Sequence, residues 1–182
     1  MASIRYRVDR LLRAIQSALG SGVAAQVADI NADLLAEGVA WSLPTGLDAS
    51  YVSIRAQGER TPMMRPASGV EIRITPLADS EQPRGVVKLA VATVPIQITA
   101  YIHESAVTGA DLADDGDLTQ AAYALCDALW WCWQASTPEP YVAQVTRDRE
   151  VLLIDFDEAD EVATEAVARQ TWTFTLKTLR RR

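Results

Sequence analysis

Histidine and cysteine are almost missing from this chain of 182 residues: His103 is the one histidine, and Cys126 and Cys132 are the two cysteines. Neither a G-x-S-x-G elbow nor a papain-like cysteine context occurs, so hydrolytic triads have nothing to stand on. Glu104, the neighbour of His103, falls on the opposite face of a predicted strand. His103 therefore reads as a strand-end side chain satisfied by water or backbone. Cys126 and Cys132 lie on one predicted helix, about 120° apart around its axis. That geometry argues against an internal bridge and for two buried, reduced thiols of a cytosolic protein. No phosphate-cradling G-x-x-x-x-G-K-[ST] or G-x-G-x-x-G follows any strand. No apolar run approaches the ~20 residues of a membrane span. Met1 to Arg5 lead into an amphipathic segment and not into the apolar core of a signal peptide.

Positive charge is also in deficit. The formal net charge is −7, which argues against a surface broadly attractive to nucleic acid or anionic lipid. Arginines gather at Arg5, Arg7, Arg10 and Arg13, spread over several helix faces, and at Arg180 to Arg182. The first set reads as a solvated helix face, and no aromatics interleave with the terminal set as a single-strand-binding surface requires. The acids are clustered. Asp111, Asp114, Asp115 and Asp117 resemble a calcium loop, but an EF-hand starting at Asp111 has Ala113 at its third position and Ala122 at its twelfth. A solvated or partner-facing loop is the expectation, with no metal and no cofactor. Asp155, Asp157, Glu158, Asp160 and Glu161 lack a glycine turn, and no spacing picks out a glycosidase pair.

What is present is a well-patterned globular chain, 49% apolar and 23% charged. A chain of this length buries about 70% of its unfolded surface, so residues 1–182 are expected to form one domain without disulfides or metal. The most regular stretch is Val94 to His103. There Ile96, Ile98, Ala100 and Ile102 alternate with Gln97, Thr99, Tyr101 and His103, the period of a strand with one dry face. Pro95 is expected to bend that strand or to mark an edge or bulge. Gly69 to Thr75 alternates in the same way and is expected to pair with it antiparallel. Strands are also expected at Val39 to Leu43, Tyr51 to Arg55, Val142 to Thr146, Val151 to Asp155 and Thr164 to Thr178.

Two helices are predicted near the N-terminus. Ser3 caps the first, in which Ile4, Val8, Leu11, Leu12, Ile15 and Leu19 recur at helical spacing. Gly20-Ser21-Gly22 is expected to stop it. Val23, Val27, Ile30 and Leu34 then suggest a second helix that ends before Gly38. A strongly apolar helix follows from about Leu118 to Gln134, capped by Asp117 or Thr119. Its Trp130, Trp131 and Trp133 cannot all point at one sheet, so some of that surface is expected to meet another subunit or partner. Residues 58–68, with the exposed-looking Met63 and Met64, and residues 105–117 are expected to be mobile loops. The sum is an α+β domain: an antiparallel or mixed sheet packed on a central apolar helix, with an amphipathic helix in front.

The pieces Ile4 to Leu19, Val70 to Thr75, Val94 to Ile102, Ala121 to Trp133 and Arg169 to Leu179 form an order. It runs amphipathic helix, hairpins around a V-x-I-x-I strand, one apolar helix, closing strand. In that order the chain resembles the tail terminator (tail completion) proteins of tailed bacteriophages. The resemblance implies a non-enzymatic protein of the virion neck, assembled in the host cytoplasm, without cofactor or membrane contact. It implies a homohexameric ring that caps the tail tube protein and faces the head connector or stopper protein, with DNA passing through unbound. Candidate contact residues are then Trp130, Trp131, Trp133, Met63 and Met64. Candidate channel-lining acids are Asp114, Asp115, Asp155, Asp157 and Asp160. The stretch Val23 to Leu35 and the long loops depart from the minimal pattern and leave room for a head-closure or head–tail adaptor protein of the same particle. A small carboxylate-dependent enzyme is the third alternative.

Overall fold

A computed structural model describes residues 4–55, 69–77, 92–109, 115–136, 139–157 and 162–176. In chain order these are α1 (Ile4–Ala36), β1 (Val52–Ile54), β2 (Val70–Pro76), β3 (Ala92–His103), α2 (Asp115–Ala135), β4 (Val142–Asp157) and β5 (Val162–Leu176). The architecture is α+β, a five-stranded mixed sheet of order β1-β2-β3-β5-β4. β1 runs parallel to β2, and the other neighbours are antiparallel.

Alternation sets the two faces of the sheet. Ile72 and Ile74 of β2, Ile96, Ile98 and Ile102 of β3, and Trp172 and Phe174 of β5 are buried in the core together with residues of both helices. Glu71, Arg73, Gln97, Thr99 and Tyr101 take the other face, where a strand's intervening residues must point. β3 is the central strand, paired along its whole length with β5 and over seven positions with β2.

Pro95 sits within this central strand without a bulge; its partner in β5 is Thr173 and the register continues on both sides. Leu77 N–H donates to the Pro95 carbonyl at 3.0 Å, so the backbone of Pro95 turns towards β2. Its missing N–H falls just past Pro76, where β2 ends. The proline removes the final rung of a ladder and disturbs nothing inside it.

Gly20-Ser21-Gly22 does not end a helix. α1 runs for 33 residues through both glycines. Leu11, Ile15, Leu19, Val23 and Val27 are all buried, one step of four residues after another. The stripe crosses the glycines without a break, and burying Val23, Val27 and Ile30 outweighs the roughly 1 kcal/mol that each glycine costs a helix. Gly20 permits a close approach instead. A Cβ on Gly20 would lie 2.8 Å from Ala49 Cβ, and one on Gly22 would lie 3.4 Å from Cys132 Sγ. The real stop is Gly38, with φ +77°. Its N–H bonds to Leu35 O while Val39 N–H bonds to Leu34 O, the paired bonds of a glycine C-cap.

Three further expectations change. Val39 to Leu43 is not a strand, because its backbone bonds go elsewhere. Asn31 on α1 donates to Leu43 O and accepts from Leu43 N, while Ser42 pairs only with Thr108. The two strands expected between Val142 and Asp155 are one, β4, with a register shift at Val142/Gln144. α2 starts at Asp115, two to four residues before either proposed cap. The pairing of β2 with β3 is antiparallel as expected, and both cysteines are free and buried.

Candidate interaction surface

Trp130, Trp131 and Trp133 of α2 separate by helical angle. Trp133 is buried, its ring 5.3 Å from Phe174 edge-to-face and 6.3 Å from Trp172. Trp130 is half-buried and meets Trp172 edge-on at 5.4 Å. Trp131 is 47% exposed. Tyr123, two turns earlier on that outward side, is 37% exposed.

β4 completes this surface from the side. Its alternate residues Arg147 and Arg149 pair with Trp172 and Gln170 of β5, which places them on the helix-covered face. Both guanidiniums converge on Asp127 of α2, Arg147 at 2.8 Å and Arg149 at 2.9 and 3.0 Å. Each also stacks on an aromatic ring, Arg147 over Trp130 and Arg149 over Tyr123, both 5.1 Å from the ring centroid. One carboxylate against two guanidiniums leaves the patch locally positive on an acidic protein. A separation of 20 and 22 residues from Asp127 hides these arginines from local sequence patterns. The one available signal was their alternate spacing in a strand next to an aromatic helix.

Beneath the patch lies a buried polar link. Gln170 Nε2 donates to the Cys126 carbonyl at 2.7 Å, and Trp172 Nε1 donates to Gln170 Oε1 at 3.0 Å. Burial pushes the Cys126 thiol up to about 12 and the Cys132 thiol up to about 11, which keeps both protonated and unreactive at neutral pH.

The opposite sheet face carries a second cluster. Arg73 makes a two-pronged bond to Glu71, both contacts 2.7 Å, and its guanidinium lies 4.6 Å from the centre of the Tyr101 ring. Arg55 approaches Glu71 at 3.5 Å. The hydrogen bonds from Arg73 hold the Glu71 carboxyl below its ordinary value despite partial burial. His103 is engaged locally: its Nδ1 accepts from Ser105 N–H at 3.1 Å and caps the short turn Glu104–Ala106.

The remaining sequence candidates are scattered. Asp115 opens α2. Asp155 and Asp157 stand at the end of β4, where Val162 and Ala163 of β5 pair with β4 but have no partner in β3. The acids therefore lie on a two-stranded arm extending past the central strand. Met63, Met64, Asp114 and Asp160 lie outside the described residues. Among the described residues no three His, Cys, Asp or Glu side chains gather as a metal site, and no helix is long and apolar enough to cross a membrane.

The fold and surface define a class: an α+β domain with one dry sheet face, a two-helix cover and an outward aromatic–arginine patch. No protein-family model matches the chain, and no curated protein matches its sequence.

Proposed function

We propose that this protein is a structural component of a tailed bacteriophage, a ring of copies that closes the end of the tail tube and joins it to the head connector. The observation that carries this reading is the architecture. A leading amphipathic helix, strands paired around a V-x-I-x-I centre, one apolar helix and two closing strands follow the order on which the resemblance to tail terminator proteins rests. A ring requires two unlike surfaces that meet head to tail. The exposed aromatics of α2 are a candidate for one of them. The acidic balance suits a passage through which DNA slides without being held, and the arm bearing Asp155 and Asp157 is a candidate for its rim. On this reading the protein carries no catalytic activity.

The test is mass photometry of the purified protein, alone and with isolated tail tubes, followed by electron microscopy of the tubes. Hexameric rings seated on tube ends are expected. A particle that stays monomeric and never binds a tube end overturns the proposal. The length of α1, beyond the minimal pattern, favours one related reading, a head-closure or head–tail adaptor protein. Binding to purified head connectors but not to tubes selects it.

A further inference from the structure

We propose that the patch of Tyr123, Trp131, Arg147 and Arg149 receives the C-terminal end of α1 from a second copy of this chain, with Leu35 meeting the aromatics and Asp29, Asp33 and Glu37 meeting the arginines. This rests on the ring reading and adds which surfaces meet.

The α1 end breaks two local rules. Leu35 is 78% exposed, the most exposed large apolar side chain among the described residues. It stands among exposed Ala32 and Ala36, which leave it free to project. The acids are the second anomaly. A helix C-terminus carries a partial negative charge and favours cations, yet the last turn of α1 has no basic residue. Asp33 sits in that turn and Glu37 directly follows it. No lysine or arginine occurs between Arg13 and Arg55 in the sequence. None of Asp29, Asp33 and Glu37 forms an ion pair with a described residue. A guanidinium brought to this end would relieve repulsion that the chain leaves standing.

The receiving patch has the complementary chemistry. Trp131 offers a large, flat, outward ring, and Arg149, whose side chain is 42% exposed, stands beside Tyr123. Asp127 is shared between two guanidiniums, so one positive charge is left to meet an incoming acid. Contact between like surfaces is opposed on both sides: two patches would set Arg149 against Arg149, and two α1 ends would set acid against acid. The two surfaces differ in shape and sign and lie on one molecule, so their contact is head to tail, and repetition of it closes a ring or runs on as a filament.

The experiment uses two full-length variants, Leu35→Arg and Trp131→Glu, each at an exposed position and each checked for a native melting curve. Singly, each should raise the concentration needed for assembly by about thirtyfold or more, the size expected for an interface anchor. An equimolar mixture should give dimers and nothing larger, because the Leu35→Arg copy keeps its patch and the Trp131→Glu copy keeps its α1 end. Should either variant melt early, Asp33→Arg and Arg149→Asp replace them, and the two swaps combined in one chain should restore assembly. If the wild type forms rings and the variants do so equally well, the proposed contact is wrong while the ring reading stands. If the wild type forms no rings, alone or on tail tubes, the ring reading falls and this contact falls with it.

Discussion

Around Trp172 a single side chain organises contacts from two elements, α2 and its own strand β5. It takes the edge of Trp130 and the ring of Trp133 from α2, and shares a core face with Phe174. Its indole N–H is satisfied by Gln170, which in turn binds the Cys126 carbonyl, so the polar atoms of a buried region are paired. This predicts a sharp contrast between neighbours. Trp133→Ala should cost ~3–5 kcal/mol in urea unfolding, because it empties a packed site. Trp131→Ala should change stability by no more than ~0.5 kcal/mol, since an exposed ring leaves no cavity. Equal losses would contradict the burial described. On the other face the Glu71–Arg73 pair sets a pH dependence. The folded pKa of Glu71 is lowered, so its contribution is complete above the ordinary glutamate value and is lost as pH falls through the lower folded one. Arg73→Met should therefore be clearly less stable than the wild type at pH 7, with the gap shrinking in acid. A gap that widens below pH ~4 would have the wrong sign.

α1 is the element in which local preference and packing disagree. In an isolated helix, Gly→Ala stabilises by about 1 kcal/mol. At Gly20 the added methyl would press on Ala49, 2.8 Å from Cβ and 2.9 Å from the Cα of the backbone that would have to move. Gly20→Ala should destabilise the protein. At Gly22 the nearest atom is Cys132 Sγ at 3.4 Å, ordinary contact with a side chain, so Gly22→Ala should be neutral or stabilising. Thermal melts of the two variants check the pair, and the same sign for both would refute this account of the helix crossing. β4 shows another device. It forms one edge of the sheet, and charged residues such as Arg147 to Glu150 discourage unplanned pairing along such an edge.

For the whole molecule the property to test is the proposed assembly. If the arm carrying Asp155 and Asp157 rims the opening of a ring, copies bring like charges together. Changing Asp155, Asp157 and Asp160 to Asn should then ease ring formation at low salt, and the advantage should fade once the Debye length is ~10 Å, near 0.1 M. The acids of the α1 contact are untouched by these changes, so the two electrostatic effects are separable. Mass photometry across a salt series reads the result, and identical curves for wild type and variant would remove these acids from the rim.

Whatever depends on local period was legible in the residues alone. The alternation in Val70 to Thr75 and Ile96 to Ile102 fixed which side chains enter the core, because a strand turns every second residue to the same face. The apolar stripe of α2 fixed Leu125, Leu129 and Cys132 as its buried line for the equivalent helical reason. Tertiary structure decided what local rules leave balanced. Gly20-Ser21-Gly22 reads as a stop until the burial of Val23 and Val27 is added, and Leu19 to Val23 was the unbroken helical step that could have revealed it. The run Arg147 to Glu150 reads as a gap between strands until β5 supplies partners for every residue in it. The parallel pairing of β1 with β2 has no local signature, and the meeting of Asp127 with Arg147 and Arg149 has only the alternate spacing of the two arginines. The helical wheel gave the angles between Trp130, Trp131 and Trp133, but β5 beneath Trp130 and Trp133 was needed to show which ring is left outside. An angle is a property of the chain, whereas burial is a property of its neighbours.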